Sequence, residues 1–467
     1  MTEAFAVRKQ EILEDCRIRA SEVEGLVGRL QAFAQPYVAL LRRSEQRDHA
    51  LTMLEGLLSD LPRKTTEPIA YRSDADRQGL QRFMGWSPWD SGPFRFELAG
   101  QVGGRYGEED GVIIFDPSAH QKKGTHSAGV KRQWNGRLGK VDNCQVGIYM
   151  GYASRKGHAL VDLRLYLPEE WMKDRKRRSA CGIPKGMRFR KRHALALEML
   201  GEKGGLLPHQ WIAGDDEMGR STRFRKDLRE WGERYILAVP SNTTIRDLEE
   251  EPPSRDGKRP RKRREFEGVR VWREKLPEQA WARFDVRDGE KGPIVVECVK
   301  RRVQARTEDR RAGPEELLLV TRTREANGLW KHDSYLSNAS SDTPLVELAR
   351  VVKAEHRIEE SLQRAKGEAG LSQYELRSWR GWYHHQTLSL VATWFLTIEA
   401  DEKKSKTPAL TVPQVASALA CVLREPDADP KRIALSVTRQ LERNEESRWY
   451  HWKSLNILPP RRLHMRC

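Results

Sequence analysis

Hydrophobic positions in the first ninety-five residues recur at helical intervals. Ile12, Val23, Leu26, Leu30, Phe33, Val38 and Leu41 fall mostly three or four apart with short polar breaks, which predicts a set of packed helices. Pro62 and the cluster Trp86, Pro88, Trp89, Gly92 and Pro93 close this part. From about residue 105 the pattern changes to short β-like runs: GVIIFD (Gly111 to Asp116), NCQVGIYMGY (Asn143 to Tyr152) and HALVDLRLYL (His158 to Leu167). A helical stretch around His193 to Leu200 follows, then WIAGD (Trp211 to Asp215), a helix from about Arg220 to Trp231, and YILAVP (Tyr235 to Pro240). The order βββαβαβ predicts an α/β unit with a mixed sheet and helices on it.

After Pro240 the periodicity breaks down for about a hundred residues, a length uncommon for a loop without a function. The stretch SRDGKRPRKRR (Ser254 to Arg264) reads as a basic loop, and Val269 to Trp272, Ile294 to Val299, Leu317 to Thr321 and Asp333 to Leu336 read as short strands of a β-rich insertion. Helical spacing returns at Leu345 and runs through Gly367, and an apolar helix follows from Trp382 to Ile398. One or two small helices and the basic tail PPRRLHMRC complete the chain. The expected units are therefore 1–95, 105–240, 241–343, 344–400 and 401–467.

Charge narrows the function. With 84 Lys and Arg against 67 Asp and Glu the chain carries +17, which favours a polyanionic partner, nucleic acid first. Six cysteines lie far apart with no Cys-x-x-Cys pair, so neither a zinc module nor a disulfide framework is expected. The longest apolar run, Leu388 to Ile398, falls well short of the roughly 20 residues a membrane span needs, and a cytoplasmic protein is expected. Basic residues crowd two segments: Lys122, Lys123, Lys131, Arg132 and Arg137, and the run Trp171 to Arg192, with ten Lys and Arg against one Asp. The second reads as a surface that tracks phosphates, or as a solvated linker.

Three acidic residues stand where a sheet could gather them: Asp116 and Asp215 at the ends of apolar runs, and Glu359 on the late helix. On spacing alone each has a plainer reading. Asp116, followed by Pro117 and Ser118, could cap a turn; Asp215, Asp216 or Glu217 could cap the helix near Arg220; Glu359, between Glu355 and Glu360, could lie on a solvated face. His384 and His385 read as packing residues, and Trp272 and Trp330 either as core or as platforms for an unpaired base.

Three motifs in order, across roughly residues 70 to 400, carry a resemblance. In Asp116 to Trp171, Ser127 to Gln133 and Gly139 to Gln145 match Ser-x-Gly-Val-x-Arg-Gln and Gly-Lys-x-x-Asn-Cys-Gln, and Lys123 with Gly124 stands at the place of Lys-x-Gly, one residue closer than that pattern. Gly214 to Leu228 is similar to an Asp-x-x-Tyr-Gly block, and Arg357 to His385 to a Glu-x6-Lys helix. Together they resemble the DDE transposases of bacterial insertion sequences, best the insertion-sequence family numbered seven hundred and one. Met218 stands where that family has Tyr, Pro117 where it has Thr, and Glu355 where the wider group often has Arg.

The resemblance implies an RNase H-like core interrupted by a β-strand insertion, preceded by a helical DNA-binding region at 1–95. It implies Asp116, Asp215 and Glu359 as catalytic residues holding two Mg²⁺ or Mn²⁺ ions. Lys366 would contact the DNA backbone, with Lys123, Lys131, Arg132 and Arg357 as further DNA contacts. The implied partners are double-stranded DNA, as terminal inverted repeats and target, and a second copy of the chain in the synaptic complex. Lys366 lies two helical turns, roughly 10.5 Å of rise, beyond Glu359, so both fall on one face.

Overall fold

The computed structural model of the protein describes residues 2–250, 265–325 and 327–462. The basic stretch Ser254 to Arg264 and the tail from residue 463 onward lie outside the described residues. Seven helices open the described chain: α1 (Thr2–Glu14), α2 (Ala20–Val23), α3 (Leu26–Val38), α4 (Ser44–Leu57), α5 (Thr66–Arg72), α6 (Arg77–Gly85) and α7 (Gly92–Tyr106). The helical region thus runs past residue 95. Strands β1 (Val112–Gln121), β2 (Lys131–Asn135), β3 (Lys140–Ala153) and β4 (His158–Tyr166) follow, then α8 (Glu169–Lys173), α9 (Arg175–Ala180) and α10 (Arg192–Lys203). Next come β5 (Trp211–Gly214), α11 (Asp216–Arg220), α12 (Thr222–Glu230), β6 (Tyr235–Val239), β7 (Thr244–Asp247), β8 (Glu267–Gly268) and α13 (Val269–Glu274). Strands β9 (Ala282–Gly289), β10 (Gly292–Arg306), β11 (Ala312–Arg324) and β12 (Trp330–Ser337) precede α14 (Leu345–Glu368), α15 (Trp379–Lys403), α16 (Val412–Arg424) and α17 (Pro430–Ser454).

All the described strands join one mixed sheet. Half of it runs β4-β3-β1-β5-β6, in which β1 is antiparallel to β3 but parallel to β5, and β5 is parallel to β6. This α/β arrangement is consistent with the RNase H-like core expected from the sequence. The segment after Pro240 is not a separate sheet: β12 pairs antiparallel with β6, and β11, β10, β7 and β8 continue outward. Period-two alternation lets that extension serve two cores. Leu318 and Val320 face a small cluster with Ile245, Val269 and Trp272, while Leu317 and Leu319 face the main core.

Val269 to Trp272, expected as a strand, is helix α13. Val269 and Trp272 are three apart and both buried, which suits one face of a helix turn, and Arg270 pairs with Glu274 at 3.0 Å across the next turn. The C-terminal region is more extensive than one or two small helices, since α17 alone spans 25 residues.

Helix α15 is apolar nearly all round and is buried along most of its length, as that pattern requires. Its polar interruptions are satisfied locally: Thr393 donates to the Ser389 carbonyl at 2.7 Å and Thr397 to the Thr393 carbonyl at 2.9 Å. Arg29 reaches Glu399 on this helix at 2.9 Å, and the N-terminal and C-terminal helices share one hydrophobic core with the sheet. Among the described residues no helix is long and apolar enough to cross a membrane.

Candidate active site

Strands β1 and β5 run side by side only as far as the pair Phe115 and Gly214. The next residues are Asp116 and Asp215. Two parallel strands that part beyond the C-terminal end of one of them open a crevice, the usual binding place in an α/β sheet. Beyond Phe115, β1 pairs only with β3, and Pro117, which has no N–H for a ladder, falls where the β5 partner has ended.

Asp215 caps α11 by accepting a hydrogen bond from the Met218 N–H at 3.1 Å. The helix expected from about Arg220 is α12, and the short α11 precedes it; Gly219 lets α11 lie against β6, since a Cβ there would sit 1.9 Å from the Ala238 carbonyl oxygen. Met218, where the family has Tyr, is fully buried. The neighbouring acids line the same pocket but are paired with arginines. Asp216 pairs with Arg220 at 3.0 Å, and Glu217 pairs with Arg192 at 2.5 Å.

Helix α14 lies along β1 in the same direction. Arg350 donates to the Asp110 carbonyl at 3.1 Å, and Lys366 donates to the Ser118 hydroxyl at 2.7 Å. Roughly 24 Å of helix therefore spans roughly 26 Å of strand. Close packing is possible because β3 has Gly151 under the helix, where a Cβ would stand 3.0 Å from Ile358. This places Glu359 and Lys366 in one pocket of about 880 Å³ with Asp116, Asp215, Glu217 and Arg192.

The electrostatics are those of acids crowded together. Burial pushes the Asp116 carboxyl up to about 7, Glu359 and Glu217 add to the push, and Lys366 opposes it. Asp215 is held well above its ordinary range by burial first and Asp116 second. Glu355, one turn before Glu359, is likewise raised by burial and then by Asp215 and Asp116. Glu359 behaves differently: its side chain is 71% exposed, and a contact with His356 at 3.6 Å holds its carboxyl low. Glu355 thus sits inside the field of the two aspartates, while Glu359 stands at the pocket wall.

The donor set fits a divalent cation chemically, since hard oxygen ligands with uncompensated negative charge are what Mg²⁺ or Mn²⁺ takes. As the side chains lie, no three His, Cys, Asp or Glu residues among the described ones stand close enough to hold a metal ion.

The motif residues between Asp116 and Trp171 brace the site. Asn143 donates to the carbonyls of Lys122 at 2.6 Å and Gly124 at 3.0 Å, fixing the loop after β1. Gln145 donates to the Ala128 carbonyl at 2.6 Å and accepts from the Tyr374 hydroxyl at 2.9 Å. Gln133 donates to the Cys144 carbonyl and accepts from Arg192, both at 3.0 Å.

The expected basic contacts divide. Lys123 and Arg132 are exposed, Lys131 pairs with Glu170 at 2.8 Å, and the side chain of Arg137 lies outside the described residues. Arg357, about 200° around the helix from Glu359, pairs with Glu360 at 3.1 Å and is not brought to the pocket. In the run from Trp171, Arg177 covers the Trp171 ring at 3.8 Å and Arg178 donates to the Pro184 carbonyl at 2.8 Å, so part of that charge is structural. His384 is held between the carbonyls of Met84 and Trp89 and stacks on the Trp89 ring. Trp272 is core; Trp330 is 38% exposed with Arg322 over its ring. Sequence reasoning passed over Arg192, Glu355 and Trp134 at this site. The hairpin signal for Trp134 was present, as Arg-Gln-Trp followed by Gly136 and Gly139.

Residues 36–293 match the family described as DDE superfamily endonuclease. A probable transposase for insertion sequence element IS701 from Microchaete diplosiphon is 32% identical over 206 residues, covering 41% of this chain and 49% of that protein. The chain thus matches about half the length of that relative.

Proposed function

We propose, from the premise that the chain belongs to the DDE superfamily endonucleases, that it is a transposase acting on the ends of an insertion sequence. It binds the terminal inverted repeats, hydrolyses a phosphodiester at each end and directs the freed 3′-hydroxyl to target DNA. The observation that carries this reading is the pair of aspartates just past the last β1–β5 pair, Asp116 and Asp215, sharing one pocket with Glu359 and Lys366. The strand order β4-β3-β1-β5-β6 supports reading this half of the sheet as an RNase H-like core.

Asp116, Asp215 and Glu359 would hold two Mg²⁺ or Mn²⁺ ions, which when bound supply an activated water and neutralise charge on the phosphate and the leaving oxygen. The chain's own groups do the rest. The Asp215 cap bond fixes its carboxylate on the strand end, α14 carries Glu359 and Lys366 on one face, and the Lys366 ammonium, which donates to the Ser118 hydroxyl in the pocket, would hold a backbone phosphate. Lys123 and Arg132 face solvent and contribute phosphate contacts, joined by Lys131 where DNA displaces Glu170. The N-terminal helices recognise the repeats, and two copies of the chain hold two ends.

Incubating the purified chain with duplexes from both borders of its gene, a target plasmid and Mg²⁺ tests the proposal. Joined products are expected. Cuts without joining would reduce the reading to a nuclease, and binding without cuts would reduce it to a DNA-binding protein.

A further inference from the structure

Helices α5 and α6 are joined by the four residues Ser73 to Asp76, and each step of that turn is fixed. The Ala75 N–H reaches back to the Ala70 carbonyl at 3.0 Å, and Asp74 takes a left-handed backbone with φ 47°. Asp tolerates that region better than most side chains. Asp76 then caps α6, accepting the Gln78 N–H at 3.0 Å. Helix α4 packs behind both. Its Gly56 lies where a Cβ would run into Ile69 of α5, and its His49 ring stands 5.6 Å from the Phe83 ring of α6. Ile69 and Ala70 on α5 and Leu80 and Phe83 on α6 are buried, so two short helices with a tight turn rest on a third. That is the build of a helix-turn-helix, whose second helix is left free to enter a groove.

The outer side of α6 has its own chemistry. Arg77, Gln78, Gln81 and Arg82 are exposed and span about 140° of the helix at roughly 100° per residue. The patch is wholly polar, so a protein partner gains no apolar burial from it. Arginine and glutamine are side chains that bond in pairs to the major-groove edges of guanine and adenine. We infer that α5 and α6 form a helix-turn-helix in which α6 lies in the major groove of the terminal repeat and these four side chains read its bases. This rests on the transposase reading above. Glu67 holds Arg77 at 2.8 Å in an exposed pair that a guanine edge can replace. Helix α6 is also tied to the core: Ser378, the cap of α15, donates to the Gly85 carbonyl at 2.7 Å, and Arg380 donates to the Trp86 carbonyl at 3.0 Å. Gln386 of α15 accepts from the hydroxyl of Tyr149, the β3 partner of Asp116. The base pairs that α6 reads therefore stand at a fixed distance from the phosphate that is cut.

The test measures binding of the full chain to border duplexes carrying single 7-deazaguanine or 7-deazaadenine bases, each of which deletes one N7 acceptor from the major groove. Wild type should lose affinity at positions confined to a few adjacent base pairs. The variants Arg77→Ala, Gln78→Ala, Gln81→Ala and Arg82→Ala change exposed side chains and should keep the wild-type melting curve. At least two of them should lose about tenfold or more on border duplexes, and no more than about twofold on an unrelated duplex. Each of those should be indifferent to the deaza base at one position where wild type is sensitive. Arg82→Lys, which keeps the charge but not the paired bonds, should share the loss of Arg82→Ala. Equal losses on both duplexes would reduce α6 to a phosphate contact and overturn the inference. A wild type that binds but is sensitive nowhere, or sensitive positions that persist in all four alanine variants, would overturn it while leaving the transposase reading intact. A wild-type chain that neither binds nor cuts the duplexes overturns both.

Discussion

Two aspartates of one sheet, Asp116 on β1 and Asp162 on β4, have opposite surroundings. Asp162 is fully buried and receives Arg95 from α7 at 2.7 Å, Arg164 at 2.9 Å and Lys203 from α10 at 2.8 Å. Burial pushes its carboxyl up, but the three cations outweigh that and hold it at about 2. Asp116 meets burial with Glu359 and Glu217 nearby and only Lys366 against them, and rises to about 7. The first arrangement ties a strand to two helices. The second leaves acids in excess of cations at a crevice, which costs stability and creates a demand for further cations. Perturbed acids of that kind mark functional sites more often than structural ones.

The sharpest way to break this contrast is Asp116→Asn. It should lower end cleavage by about 10³-fold or more while leaving duplex binding in a gel-shift assay close to wild type. Its unfolding midpoint should stay level or rise, because an uncompensated charge is removed. A variant that cleaves normally would remove Asp116 from the chemistry. Glu359→Gln should approach the same loss, and Glu355→Gln should cost about tenfold or less. The reverse order would make Glu355, already in the field of both aspartates, the third ligand.

Asp162→Asn should do the opposite. Removing the centre of a buried ion cluster strands its cations and should destabilise the chain by roughly 3–5 kcal/mol in urea unfolding. A loss under 1 kcal/mol would mean that the cluster is solvated and the comparison fails.

Added Mg²⁺ should stabilise wild type at pH 8 by up to about 2.7 kcal/mol at a hundredfold excess over its dissociation constant. The gain should fade towards pH 5 and be absent in Asp116→Asn. The sign follows from linkage. The folded value of Asp116 lies above its ordinary 3.8, so its contribution to stability is greatest below about pH 4 and falls as pH rises through 7. Asp162 has the reverse sense: its contribution is complete above 3.8 and is lost as pH falls through about 2. A cation effect that is equal at pH 5 and pH 8 would place binding elsewhere. The smallest expected effect is that of Lys366→Ala, which should flatten the slope of log affinity against log salt by about 1.

Much of this was legible in the chain. The runs GVIIFD and WIAGD forecast β1 and β5, and the interval from Glu359 to Lys366 forecast one helix face; Asp215 does follow the end of β5, but Asp116, expected at a strand end, lies inside β1, which runs on to Gln121 against β3. Other features were not. Val269 to Trp272 has the composition of a strand, and only its burial three residues apart against Ile245 and Val303 makes it a helix. The hundred residues after Pro240 read as a β-rich insertion, but that its strands extend the core sheet was not legible, because a sequence does not record that β12 hydrogen-bonds to β6. Arg357 and Glu359 are two residues apart and looked equally available, but α14 buries one side and so turns Arg357 to Glu360.

Periodicity, charge and motif spacing by themselves determined most of the order of elements, the basic character and the choice of Asp116 and Asp215, since each depends on neighbours in the chain. The tertiary structure alone decided that Asp215 caps α11 beside Asp116 while Asp216 and Glu217 pair with arginines, that Glu355 joins their field, and that Asp162 is neutralised while Asp116 is not. Those outcomes depend on which charges the fold brings within a few ångströms through a medium that screens them poorly, and residues hundreds of positions apart contribute them.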